Sequence, residues 1–140
     1  EYRCNISESD FDLRNKRGDF LWIENAHGNI YGTLYADVAT ALNSKGLSFM
    51  QILLASVEKI RKYAPGKVLS FFVLPPGKEE LRRRLSKRGD RPEQIEKRIS
   101  DCVKWESEAK ASGIPYEFVK NDRSVENVVG EIEHIINAKV

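Results

Sequence analysis

Residues 20–34 read FLWIENAHGNIYGTL. Gly28, Asn29 and Gly32 are residue types that accept positive φ, so the backbone can reverse tightly around them. The apolar start and the aromatic and hydroxyl end then predict a strand over Phe20–Glu24, a turn at His27-Gly28-Asn29, and a second strand around Ile30–Thr33. Tyr31 and Thr33 are two residues apart, so on an extended backbone they share a face. That face either offers two hydroxyl donors to a phosphate or a base edge, or it is a surface hairpin with a packed tyrosine. These residues alone leave both readings open.

Working outward, Ser7 before Glu8, Ser9 and Asp10 has the chemistry of a helix N-cap, which predicts a short helix to about Lys16, stopped by Gly18. After the hairpin, Tyr35, Val38, Ala39 and Leu42 recur at helical spacing, with Lys45-Gly46 as a C-terminal stop. Leu47–Leu54 is an apolar run without alternation, which predicts a strand buried on both faces. Val57, Ile60 and Arg61 predict a short helix ended by Pro65-Gly66. Val68–Leu74 is a second apolar run stopped by Pro75-Pro76. Leu81 and Leu85 mark a helix with acids at its start and bases at its end. Another helix begins near Pro92, with Ile95, Ile99, Cys102 and Val103 expected to face inward, and Gly113-Ile114-Pro115 breaks it. Tyr116–Val119 reads as a strand, and Val125, Val128, Val129, Ile132, Ile135 and Ile136 mark a closing helix. Strand–helix alternation from residue 47 onward predicts an α/β core with a parallel sheet. Residues 1–46, helix–hairpin–helix, read as a small α+β lobe joined to it.

Bulk properties bound the function classes. Of 140 residues, 41% are hydrophobic and 31% charged, which describes a folded globular chain and not a disordered one. A net charge of +2 is too small to argue for a nucleic-acid or membrane partner. No apolar run reaches transmembrane length, and the acidic opening does not read as a signal peptide. Cys4 and Cys102 lack metal-ligand spacing and read as two reduced thiols, so a cytoplasmic setting is expected. His27 and His134 belong to no nucleophile or metal pattern and are assigned to structure.

The densest positive charge is Arg82, Arg83, Arg84, Lys87, Arg88 and Arg91, followed by Lys97 and Arg98. Arginine clusters bind phosphates bidentately and stabilise charge during phosphoryl transfer. Gly89-Asp90-Arg91-Pro92 is loop-forming, so one reading is a mobile lid over residues 82–98. The other is a solvated helix face neutralised by Glu79, Glu80, Glu93 and Glu96.

HGNIYGT, followed in order by FFVLPP-x-x-EEL-x-x-RL-x-x-RG, IEKRI and FVKND, resembles the guanylate kinase family over essentially the whole chain. The resemblance implies a P-loop-kinase-like parallel sheet with flanking helices. It places a monophosphate-binding lobe at residues 1–46 and the core at 47–140. It also implies transfer of the ATP γ-phosphoryl to GMP or a related nucleotide, with Mg²⁺. Arg84, Arg88 and Arg98 fall on the family's lid arginines. Tyr2 and Tyr31 match the tyrosines that touch the acceptor phosphate, Thr33 matches a hydroxyl beside the base, and Asn121 matches an asparagine near the donor adenine. Asn121 also fits a cap for the closing helix.

The departures are as informative as the matches. G-x-x-x-x-G-K-[ST], whose backbone N–H groups and lysine cradle the donor phosphates, does not occur in these residues. The expectation is a chain without the family's first strand and P-loop, inactive by itself, whose gap in the sheet is filled by self-association or a partner segment. Where the family has a guanine-reading glutamate this chain has Trp22, with Glu24 two residues on along the same strand face. Where the family has an acidic strand end it has Gln51-Ile52-Leu53-Leu54, so no metal site is assigned. The expected nucleotide is GMP-like and weakly held. The alternative is a guanylate-kinase-like module that binds protein partners without catalysis.

Overall fold

The computed structural model describes residues 5–26 and 29–139. By internal contacts the chain divides into two compact units, Glu1–Val68 and Leu69–Val140.

In the first unit, α1 (Glu8–Arg17) begins where Ser7 caps it, the serine oxygen accepting from the Asp10 N–H at 3.1 Å. Gly18, at φ 72°, ends the helix in the left-handed region that glycine tolerates. Strands β1 (Phe20–Ala26) and β2 (Asn29–Leu34) form an antiparallel hairpin. A bulge between Phe20 and Trp22 shifts the register, so Trp22 faces Thr33 and Glu24 faces Tyr31. Directly paired residues share a face, so these four side chains lie on one side of the hairpin. Helices α2 (Tyr35–Asn43) and α3 (Leu54–Tyr63) follow. The core of the unit is Trp22, Val38 and Ile60, with Leu21, Leu42, Ile52 and Val68 packed against it.

Gly32 corrects one expectation. It is not among the glycines of positive φ. It is glycine because the Phe20 ring lies across it: a Cβ there would come within 2.4 Å of the ring. Phe20 is held in turn by stacking on Phe11 of α1, ring centroids 4.7 Å apart. Gly32→Ala should therefore displace a packed ring and cost about 1–3 kcal/mol. Urea unfolding checks this, and an unchanged midpoint would contradict the stacking.

The Leu47–Leu54 strand is not formed: residues 47–53 have no regular structure, and Leu54 begins α3. A strand buried on both faces needs a ladder partner, and the run pairs with no strand among the described residues. Ile52 packs against the Trp22 cluster, but Leu47, Phe49 and Met50 are exposed, Phe49 at 77%.

In the second unit, β3 (Ser70–Leu74) pairs in parallel with β4 (Tyr116–Lys120), from Ser70 opposite Tyr116 to Leu74 opposite Lys120. The expected parallel pairing is present, as two strands, and β3 starts later than Val68. Phe72, Tyr116 and Phe118 cluster across the pair with centroids 5.6–6.0 Å apart, and Val119 is fully buried. The connection between the strands contains α4 (Lys78–Lys87) and α5 (Pro92–Ala111), which share Leu81, Leu85, Ile95 and Ile99. Pro92 opens α5 where its missing N–H costs nothing. Val103, expected inward, is exposed. The helix runs 20 residues, and the cluster shared with α4 extends only to Ile99. The closing helix α6 (Val125–Lys139) buries Val128 and Ile136 and leaves Val125 and Val129 exposed.

Among the described residues, no helix is long and apolar enough to cross a membrane.

Candidate functional site

Two groups of residues carry chemistry, one in each unit. The first is the hairpin face. Trp22 is 3% exposed and belongs to the core. Its indole Nε1 is buried, with no hydrogen-bond partner among the described residues. Glu24 is half-buried, and its Oε2 accepts a 2.7 Å hydrogen bond from Ser56 Oγ of α3, a serine only 1% exposed. Tyr31 and Thr33 are half-buried on the same side. The hairpin thus presents a carboxylate fixed from behind by a serine, beside two hydroxyls. Ser56 was not singled out in the sequence; nothing in the stretch LASVEK marks a serine that meets a strand 32 residues away. Tyr2, the other expected acceptor-side tyrosine, and His27 lie outside the described residues.

The second group is the arginine cluster. The reading of a neutralised helix face fits two of its residues. Arg82 bonds Glu79 and Glu96 at 2.8 and 2.9 Å, and Arg83 takes Glu80 with a two-pronged bond. These are exposed surface pairs, each contributing little to stability. The remaining arginines are arranged otherwise. Arg84 Nε donates to Glu80 at 2.8 Å, and its Nη1 donates to the backbone oxygen of Asn121 at 3.3 Å. Arg88 grips Asp90 through both Nε and Nη2, and Arg98 Nε stands 3.7 Å from the same carboxylate. The expected lid residues thus fall into two sets, Arg84 with Asn121 and Arg88 with Arg98.

Asn121 does not cap α6. That role belongs to Ser124, whose Oγ accepts from the Asn127 N–H at 3.4 Å. Asn121 instead continues the strand ladder, its N–H donating to the Leu74 carbonyl at 2.9 Å, which fixes its carbonyl toward Arg84.

Hydrogen bonds from Arg88, with the charge of Arg98 behind them, hold the Asp90 carboxyl below its ordinary range. Hydrogen bonds from Arg83 and Arg84 bring Glu80 down to about 2. The folded value lies below the ordinary 4.5. The stabilisation from these pairs is therefore complete above pH 4.5 and is lost as pH falls toward 2. An NMR titration of the Glu80 carboxyl should have its midpoint near 2. A midpoint at the ordinary value would mean that the Arg83 and Arg84 bonds do not form in solution. Cys102, by contrast, is pushed up by burial, which favours the protonated thiol.

Among the described residues, no three His, Cys, Asp or Glu side chains are grouped to hold a metal ion. The acids of the arginine cluster are already satisfied by guanidinium, so this donor set does not fit a Mg²⁺ site.

The geometry can be compared with known proteins. The family model described as guanylate kinase matches residues 2–139. A guanylate kinase of Symbiobacterium thermophilum is 31% identical over 137 residues, covering 96% of this chain and 62% of that protein. One from Alkalilimnicola ehrlichii is 37% identical over 99 residues, covering 70% of this chain and 48% of that protein. The crystal structure of guanylate kinase from Anaplasma phagocytophilum superposes with a TM-score of 0.71 at 21% identity, over 95% of this chain and 62% of that one. The chain spans less than two thirds of each of these proteins.

Proposed function

The chain belongs to the guanylate kinase family, and from that premise we propose that it is the acceptor-lobe and lid portion of a nucleoside monophosphate kinase. The reaction is transfer of the ATP γ-phosphoryl to GMP or a related nucleotide. Arg84, Arg88 and Arg98 neutralise the charge that spreads over the transferring phosphoryl oxygens. Asn121, bonded to Arg84, stands near the donor adenine. Tyr31 and Thr33, with Tyr2, hold the acceptor nucleotide. Mg²⁺ enters with the nucleotide phosphates, and no step of this reading is assigned to an ion held by the described residues.

The observation that carries the proposal is the meeting of Arg88 and Arg98 on one anion, Asp90. A solvated helix face spreads its charges apart; these two guanidinium groups, one at the C-terminal cap of α4 and one within α5, converge on a single carboxylate.

These 140 residues contain no G-x-x-x-x-G-K-[ST] stretch, the loop whose backbone N–H groups and lysine hold the β- and γ-phosphates. By themselves they should give no transfer from ATP to GMP above a no-protein control in a coupled assay. A form that brings a G-x-x-x-x-G-K-[ST] segment should turn over. Turnover by the 140 residues alone, abolished in Arg88→Ala, would contradict this division of labour.

A second reading, a non-catalytic binding module, draws support from one observation. Trp22 occupies the place where a base-reading carboxylate is expected, and it is packed into the core. If this reading holds, the form with a P-loop segment binds neither ATP nor GMP.

A further inference from the structure

The proposal above gives Arg88 and Arg98 to phosphate. The structure gives them to Asp90, and the way Asp90 is held has its own consequence. Its carboxylate presents Oδ1 to Arg88 Nε at 3.1 Å and Oδ2 to Arg88 Nη2, the two-pronged geometry in which a guanidinium takes a phosphate. Arg98 approaches the same Oδ2 from α5 at 3.7 Å. The carboxylate is 17% exposed, whereas the Arg88 and Arg98 side chains are about half exposed and reachable by a ligand. The loop fixes this placement. Gly89 takes φ 88°, and the Asp90 N–H donates to the Leu85 carbonyl at 3.2 Å. The acid is thus returned to the end of the helix that carries Arg88.

We propose that Asp90 is a built-in stand-in for phosphate, a positioning residue that keeps Arg88 and Arg98 together at rest and must be displaced before they grip a nucleotide. The inference rests on the lid reading of those arginines. Asp90 is tethered two residues from Arg88, so it competes at a high local concentration. It carries a single negative charge, so a polyphosphate displaces it more readily than a singly charged anion does. The device therefore raises the charge an incoming ligand needs.

The test is titration of ATP into the ¹⁵N-labelled chain without added metal. Affinity is read together with the Nε–H signals of Arg88 and Arg98, for wild type, Asp90→Asn, Asp90→Ala and Arg98→Ala. With the competitor removed, both Asp90 variants should bind ATP about threefold to tenfold more tightly, a range set by exposed, charge-assisted pairs. The free Arg88 Nε–H signal should also move. A merely structural role for Asp90 would lower the melting temperature and leave ATP affinity unchanged or weaker in both variants, and that result overturns the proposal. The lid reading fails separately, if ATP binds wild type without moving either arginine signal and binds Arg98→Ala equally well. Absence of ATP binding by every variant overturns both.

Discussion

Trp22→Glu is expected to unfold the hairpin lobe, not to create a guanine-reading carboxylate. Trp22 is 3% exposed and packs with Val38 of α2 and Ile60 of α3. Replacing it with a shorter acid opens a cavity and places a charge among apolar side chains. Truncating a buried tryptophan alone costs about 3–5 kcal/mol, and the stranded carboxylate adds to that. Trp22→Phe should cost less than about 2 kcal/mol, since the ring volume largely remains and the unpartnered indole N–H disappears. Urea unfolding followed by circular dichroism separates the two. A folded Trp22→Glu protein that prefers GMP to AMP would show that the site is open to a base at this position.

The largest functional effect is expected at Arg88. In a form of the protein that carries a phosphate loop, Arg88→Ala should lower kcat by about 10²- to 10³-fold with little change in stability. Removing one preorganised donor aimed at transition-state charge costs on this scale. The Arg88 side chain is itself more than half exposed, so its bonds to Asp90 contribute little to folding. Arg83→Ala is the internal control. Its guanidinium is spent on Glu80, and it should leave kcat within about twofold. Equal losses in the two variants would mean that general positive charge, not convergence on one anion, is what matters.

Much of this fold was legible because its signals are local. The Ser7 cap, the hairpin, and the helix opened by Pro92 and closed by Gly113-Ile114-Pro115 announce themselves within a few residues. The failures share a cause. The run from Leu47 has no period, and whether such a run becomes a strand depends on a ladder partner that local sequence does not specify. Val103 continues the apolar stripe of α5 beyond the reach of its neighbour, and a stripe does not record where the partner ends. Gly32 carried the right residue for a different reason, since a ring crossing a glycine leaves no trace in spacing. At the candidate site, the family likeness of the arginine stretch followed from the order of its residues along the chain. Which carboxylate each one takes did not, because eight basic residues among many acids allow several pairings. Asp90 and Ser56 emerge only when loops and helices are placed in space.

The two strand pairings of this chain also differ in the time they need. β1 and β2 lie only two residues apart in the chain and can zip locally, on the microsecond scale of hairpins. β3 ends at Leu74 and its partner begins at Tyr116, so their ladder must wait for the intervening chain to fold back. That closure carries an entropic cost set by chain length, which the local contacts of α4 and α5 reduce by drawing the ends together. The helices that bear Arg84, Arg88 and Arg98 are thus also the clasp of the parallel pair. A lesion in their shared cluster of Leu81, Leu85, Ile95 and Ile99 would delay the birth of the sheet as well as loosen the arginines it carries.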